Sequence, residues 1–171
     1  MMAKRVLLAP GASGTIDRLA PHADGLRRRG LTVELVPLPR KSAERAVPVY
    51  RSAVEAHGGS VIGGHSFGGR VASLLAADEA QAGLVLLSYP LHAPGRQEAW
   101  DARTDHWPRI GCPVLLLSGE ADPFARIDLL RAAVVRLRDA RLVTYPRVGH
   151  GLGPVLDAAL DEVAAFVRGR T

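Results

Sequence analysis

Residues 60–80, SVIGGHSFGGRVASLLAADEA, are the most informative part of the sequence. It begins with a short apolar run that predicts a buried strand, passes through a glycine-rich turn, and continues as an Ala/Leu-rich segment with helical periodicity. Within the turn, Gly64, Ser66 and Gly68 fit the pattern G-x-S-x-G. Small residues two positions to either side of the serine let the strand and the helix pack closely around it. The stretch therefore predicts a serine hydroxyl held out above the edge of a sheet.

Two phosphate-binding loops have similar glycine spacings, but they fit this sequence less well. A P-loop continues with lysine and then Ser or Thr, whereas Gly69 is followed by Arg70 and Val71. A dinucleotide-binding loop needs G-x-G-x-x-G after a strand, and neither this turn nor PGASG at residues 10–14 supplies it. The pattern therefore favours a nucleophile turn over a nucleotide site.

Short aliphatic runs alternate with helical patterns along the chain. Most of the runs are almost continuously apolar, as is typical of strands covered on both faces. They are RVLLA (5–9), LTVELV (31–36), SVIGG (60–64), GLVLLS (83–88), PVLLLS (113–118) and RLVTYP (141–146). The helical faces between and after them are Leu19/Ala23/Leu26, Tyr50/Ala53/Val54/His57, Val71/Leu74/Leu75, Leu130/Ala133/Val134/Leu137 and Leu156/Ala159/Leu160/Val163. This alternation predicts an α/β fold with a six-stranded, mainly parallel sheet and helices on both faces.

The composition limits the possible classes of protein. A chain of 171 residues, 47% hydrophobic and 23% charged, is typical of one globular domain, which we expect to span residues 1–171. The net charge of +5 comes with few aromatic residues and dispersed arginines, so we expect no nucleic-acid partner. No apolar run approaches the roughly 18 residues of a membrane helix, so we expect no membrane partner. The single Cys112 cannot form an internal disulfide, and we expect it to be buried in a cytoplasmic protein.

A serine hydroxyl is a poor nucleophile at neutral pH unless a histidine base and an orienting carboxylate accompany it. Asp122 follows the fifth run in the turn SGEADPFA, and His150 follows the sixth between two glycines. Parallel strands end at one edge of their sheet, so Ser66, Asp122 and His150 can converge there. Glu120 is an alternative acid, and His65 is interpreted as a packing residue.

Two backbone amides are expected to receive the oxyanion of an acyl-transfer reaction. One belongs to Phe67, directly after the serine, and the other to Ala12, in a loop where Gly11 allows close approach. The long segment 89–112 follows the fourth run at the same sheet edge and is expected to be functional or partly helical. No histidine shows metal-ligand spacing, so neither a metal nor another cofactor is expected. The predicted walls of the substrate pocket are Tyr89, Leu91, His92 and Phe124.

These motifs resemble the α/β-hydrolase superfamily over nearly the whole chain. The first strand would correspond to the third of that fold, which implies the sheet order 2-1-3-4-5-6 without a large cap. The segments LLSYPLHAPGRQE (86–98), GHSFGGRVA and SGEADPF are similar to the group that includes testis-expressed proteins and the KANSL chromatin-complex subunit domain, close to dienelactone hydrolases. The resemblance implies a serine-hydrolase-like site at Ser66, Asp122 and His150. The leading hypothesis is therefore a small serine hydrolase that cleaves carboxylic esters or related acyl compounds through an acyl-enzyme, with a small-molecule acyl substrate as its partner. One departure is Pro10-Gly11, where the family usually has His-Gly.

An alternative is a catalytically weak or inactive binding or scaffold protein with the same fold. Two observations favour this alternative: the resemblance to that subgroup, and Pro10 in place of the usual histidine. The chain is expected to be a monomer or a homodimer, since LTVELV would form an exposed sheet edge that a partner could cover.

Overall fold

A parallel six-stranded sheet forms the centre of the molecule. The computed structural model describes residues 4–12, 14–58 and 61–170. Its strands are β1 (Arg5–Ala9), β2 (Thr32–Leu35), β3 (Val61–His65), β4 (Gly83–Leu87), β5 (Val114–Gly119) and β6 (Ala140–Tyr145). They pair in the order β2-β1-β3-β4-β5-β6, and every pairing is parallel, which confirms the predicted order. Ser60, the predicted first residue of the third strand, lies outside the described residues.

Helices cover both faces of the sheet. One face carries α2 (Ala43–His57), α3 (Phe67–Asp78) and α5 (Ile127–Val134), and the other carries α1 (Ala20–Arg28) and α6 (Leu156–Arg168). The predicted helical faces fall within these elements with two exceptions. Leu19 belongs to a 3-10 turn just before α1, and Leu137 is buried but lies beyond the end of α5.

The strand sequences explain why the sheet has two apolar faces. Successive side chains of a strand point to opposite sides. In β1, Leu7 and Ala9 pack against α2 and α3, whereas Val6 and Leu8 pack on the side of α1 and α6. All four are fully buried. A continuous apolar run is therefore what a strand with helices on both sides requires.

The segment 89–112 is partly helical, as expected. It contains a short helix, α4 (Trp100–Thr104), flanked by two 3-10 turns, Gln97–Ala99 and Trp107–Arg109. Its anchor is Tyr89, whose ring meets that of the buried Trp107 edge-on with centroids 5.0 Å apart. The Tyr89 hydroxyl donates a hydrogen bond of 2.6 Å to the carbonyl oxygen of Arg103. Aromatic packing and this bond together fix α4 against the end of β4.

Cys112 is buried, as its place before a strand predicts, and burial raises the pKa of its thiol to about 11. Within residues 4–12, 14–58 and 61–170, no helix combines the length and the apolar character that crossing a membrane requires.

Candidate active site

Ser66 occupies the turn between β3 and α3 in a backbone conformation that side chains rarely adopt. Its φ is +50° and its ψ is −117°. Such a conformation costs on the order of 1–3 kcal/mol and persists only where the surroundings hold it. Here the Ser66 N–H donates to the carbonyl of Leu87 at 2.8 Å, and the Ser66 carbonyl accepts from the N–H of Arg70 at 3.0 Å. The turn is thus fastened to both β4 and α3.

Gly64 and Gly68 are required by close backbone contact. A Cβ atom at Gly68 would overlap the carbonyl of Ala9, and one at Gly64 would be wedged between that carbonyl and the backbone of Gly68. Helix α3 can start this close to β1 and β3 only because both positions lack side chains. The two glycines of the G-x-S-x-G pattern therefore set the geometry that carries Ser66.

The structure brings Ser66, His150 and Asp122 into one hydrogen-bonded line. The Ser66 hydroxyl donates to Nε2 of His150 at 2.9 Å, and Nδ1–H of His150 donates to Oδ2 of Asp122 at 2.8 Å. The Asp122 side chain is fully buried, and its Oδ1 accepts from the N–H of Phe124 at 2.8 Å. Both carboxylate oxygens are thus committed, which fixes the imidazole in the tautomer whose Nε2 can accept a proton from the serine.

Glu120, the alternative acid, has other partners. Thr144 donates its hydroxyl proton to Oε1 of Glu120 at 2.7 Å, and Nη2 of Arg131 lies 3.6 Å from the same oxygen. These contacts hold the carboxylate beside β6 and α5. The structure therefore brings Asp122, and not Glu120, to His150.

The loop that carries His150 is fixed from two sides. Nε2–H of His65 donates to the carbonyl oxygen of His150 at 3.0 Å, and the two rings are 5.1 Å apart. On the other side, the N–H of Ala121 donates to the carbonyl of Val148 at 2.9 Å. The sequence predicts a packing role for His65, and the structure places its side chain in the same cleft as Ser66, where it supports the loop.

Gly119, the last residue of β5, packs directly against the backbone of the His150 loop, and Gly119→Ala is expected to displace that loop. A Cβ atom there would overlap the carbonyl oxygens of Val148 and Gly149. We expect the free energy of unfolding, measured by urea denaturation, to fall by about 1–3 kcal/mol. Gly111→Ala is the control, because Gly111 is exposed and a Cβ atom there would meet no other atom within 4 Å, and it should change this free energy by less than about 0.5 kcal/mol. Equal stability of the two variants would contradict the tight contact.

Two cavities meet at Ser66. The larger has a volume of about 470 Å³ and includes Gly11, Leu19, His22 and Leu152 in its wall. The smaller has a volume of about 200 Å³ and includes Arg70, Pro90, Ala93 and Arg103. Both are bordered by three residues, Ala12, Ser66 and Phe124.

Of the four predicted wall residues, only Phe124 lines these cavities. Its ring lies over His150 with centroids 4.5 Å apart. The structure places the other three, Tyr89, Leu91 and His92, in the buried interior and not in the wall of either cavity. His92 holds neighbouring chain segments: Nδ1–H donates to the carbonyl of Ala93 at 2.9 Å, and Nε2 accepts from the N–H of Arg126 at 3.1 Å. After β4 the chain turns inward, so Pro90 and Ala93 reach the cavity in their place.

The amides of Phe67 and Ala12 lie beside the serine. Phe67 is the first residue of α3, whose opening N–H groups have no carbonyl partner within the helix. Ala12 borders both cavities, and a Cβ atom at the adjacent Gly11 would be 3.5 Å from Cβ of Ser66. Within the described part of the chain neither N–H donates to another group. Their role as oxyanion donors stays a prediction.

Sequence reasoning missed His22, which lies on α1 in the wall of the larger cavity. Both ring nitrogens are buried, with no hydrogen-bond partner among the described residues. Burial, followed by the proximity of His65, lowers the pKa of His22 from 6.5 to about 4. A single histidine in a helical pattern does not indicate that its side chain lines a cavity. Among the described residues, no group of three or more His, Cys, Asp or Glu side chains is placed to hold a metal ion.

The stability of the protein should fall as the pH drops from 6.5 toward 4. In that range the unfolded chain protonates His22 while the folded chain keeps it neutral, so acid favours unfolding by up to about 3 kcal/mol. Burial also lowers the pKa of His65 and of His106, which act in the same direction. In urea denaturation at several pH values, His22→Gln should show a weaker loss than the wild type. If the free energy of unfolding of His22→Gln fell with pH as steeply as that of the wild type, the pH dependence could not be assigned to His22.

Comparison with known proteins agrees with this architecture. Residues 38–162 match the family described as alpha/beta hydrolase domain. The monoacylglycerol lipase of Paleococcus ferrophilus is similar with a TM-score of 0.83 at 15% identity, covering 98% of this chain and 95% of that one. Est1E from Butyrivibrio proteoclasticus, solved with ferulic acid, has a TM-score of 0.84 at 15% identity and coverages of 98% and 89%. A dienelactone hydrolase from Anabaena variabilis has a TM-score of 0.82 at 21% identity and coverages of 98% and 87%. The fold of this chain is therefore the α/β-hydrolase fold.

Proposed function

The chain belongs to the alpha/beta hydrolase domain family, and on that premise we propose that it is a serine hydrolase that cleaves carboxylic esters or related acyl compounds. The observation that carries the proposal is the hydrogen-bonded line from Ser66 through His150 to the buried Asp122. A lipase and a dienelactone hydrolase among the similar structures support an acyl substrate. We further propose, from the sequence motifs alone, that the chain belongs to the subgroup of the KANSL and testis-expressed proteins.

In the first half of the reaction, Oγ of Ser66 attacks the acyl carbon while Nε2 of His150 takes the hydroxyl proton. Asp122 stabilises the imidazolium that forms. The negative charge on the former carbonyl oxygen is received by the amides of Phe67 and Ala12. His150 then gives its proton to the leaving alcohol, and an acyl-enzyme remains on Ser66.

In the second half, water replaces the alcohol. His150 removes a proton from the water, which attacks the acyl carbon, and the same amides receive the second oxyanion. Collapse of that intermediate returns the proton from His150 to Oγ of Ser66 and releases the carboxylic acid. No group beyond this chain and water is needed.

Two further features of the proposal follow from the same residues. The combined size of the two cavities suits a small molecule. An unpaired, buried Cys112 fits a reducing compartment, and we place the protein in the cytoplasm on that basis.

A fluorophosphonate probe tests the proposal directly, because an activated serine displaces its fluoride and forms a stable phosphonate ester on Oγ. Intact-mass measurement of the wild type should show one added probe, and peptide mapping should locate it at Ser66. Short p-nitrophenyl esters should be hydrolysed by the same preparation. If folded wild-type protein shows neither labelling nor turnover, the alternative binding or scaffold function, motivated by Pro10 in the oxyanion loop, is favoured.

A further inference from the structure

We propose that the smaller cavity beside Ser66 is a carboxylate-binding subsite, so that the preferred substrates are acyl compounds bearing a second, negatively charged carboxylate. The inference rests on the proposed function for the reaction, and on Arg70 and Arg103 for the charge preference. Both arginines line this cavity together with Ser66.

Arg70 is placed next to the nucleophile by the helix itself. It lies four residues after Ser66, and residues four apart share one side of a helix; its N–H bonds to the Ser66 carbonyl at 3.0 Å. Its guanidinium has a weak partner, Glu44, whose carboxylate is 3.4 Å away and whose side chain is 66% exposed. Nε of Arg70 is buried and has no hydrogen-bond partner among the described residues.

Arg103 comes from α4 and is held in place before any ligand arrives. Its Nη1–H donates to the carbonyl of Pro90 at 3.0 Å. Its backbone carbonyl accepts a hydrogen bond from the Tyr89 hydroxyl, with 2.6 Å between the two oxygens. In the part of the chain that the structure describes, no carboxylate lies within ion-pair distance of Arg103. The guanidinium is therefore oriented but not neutralised.

The two arginines repel each other, which an anion would relieve. Burial and then the positive charge of Arg70 lower the pKa of Arg103. Among the described residues, the one carboxylate paired with either arginine is Glu44, which is largely exposed and lies 3.4 Å from Arg70. Asp122 is committed to His150 and to the N–H of Phe124, and Asp101 pairs with Arg136. A small cavity with two like charges and little counter-charge is electrostatically complementary to a negative ligand.

The shape of the site favours a carboxylate attached to the substrate. A guanidinium presents parallel N–H donors that match the two oxygens of a carboxylate. With a volume of about 200 Å³, the cavity has room for a short chain between that carboxylate and an acyl carbon at Ser66. The larger cavity, which also borders Ser66, is left for the leaving group. Half-esters of short dicarboxylic acids have this arrangement.

The kinetic test compares two chain-matched esters, mono-p-nitrophenyl glutarate and p-nitrophenyl valerate. The measured quantity is the ratio of their kcat/KM values, glutarate over valerate. Arg103→Gln and Arg70→Gln should each lower this ratio by about tenfold to a hundredfold, the usual worth of a charged hydrogen bond. Arg96→Gln, an exposed arginine of the same segment, removes the same charge and should keep the wild-type ratio. A ratio that neither cavity variant changes would overturn the inference.

A binding test separates this inference from the proposed function. Wild-type protein is titrated calorimetrically with glutarate and, separately, with inorganic phosphate. Binding of glutarate that Arg103→Gln weakens supports the subsite, even if no ester is hydrolysed and the proposed function fails. Hydrolysis of valerate without glutarate binding overturns the subsite alone, and binding of phosphate without glutarate overturns its assignment to a carboxylate. If Arg103→Gln does not fold, as judged by circular dichroism, Arg70→Gln carries both tests.

Discussion

Ser66→Ala is expected to lower kcat for p-nitrophenyl esters by about 10⁴-fold or more, because it removes the only atom that can form the acyl-enzyme. Oγ of Ser66 is also the donor that meets Nε2 of His150 at 2.9 Å. Residual turnover would come from water and the amides of Phe67 and Ala12. The measurement is steady-state hydrolysis, with the wild-type active fraction fixed by fluorophosphonate titration.

The matched control is Ser88→Ala. Ser88 follows β4 at the same sheet edge, has a φ of +51° and is fully buried, yet it borders neither cavity. Its removal should change kcat by less than about threefold. If Ser66→Ala kept more than about a tenth of the wild-type kcat in folded protein, the nucleophile would have to be another group.

The sheet and the line of site residues could be anticipated from sequence for the same physical reason. Apolar runs without alternation predict strands covered on both faces, and parallel strands bring every strand-to-helix turn to one edge. Residues as distant as Ser66 and His150 are then neighbours because each follows a strand. Gly64 and Gly68 add local information. The turn brings α3 so close to β1 that neither position has room for a Cβ atom.

The pocket could not be anticipated, because the edge of a sheet does not determine which way a side chain turns. Tyr89 and His92 follow β4 as directly as Asp122 follows β5. They turn inward because the Tyr89 hydroxyl finds the carbonyl of Arg103, and His92 finds backbone groups on two segments. The charged wall is formed instead by Arg70, on a helix, and Arg103, on a segment without clear periodicity. Their meeting depends on tertiary contacts that no spacing encodes.

Asp122→Asn is expected to lower kcat by about 10⁴-fold while leaving the fold intact. An amide can still accept the N–H of Phe124 through its oxygen, which makes a bond of 2.8 Å in the wild type. Its NH₂ group would then face Nδ1 of His150 and would donate to it. The imidazole proton would move to Nε2, where it points at Oγ of Ser66, so that the base could no longer accept the serine proton.

Glu120→Gln is the control that distinguishes this tautomer effect from a general loss of negative charge at the end of β5. Glu120 is two residues away and bonds to Thr144 and not to His150. Its replacement removes the same charge and should change kcat by less than about threefold. Equal losses of kcat in the two variants would mean that the negative charge of this loop, and not the hydrogen bond to Nδ1, supports catalysis. A large loss in Asp122→Asn alone, with unchanged urea denaturation, would assign the orienting role to Asp122.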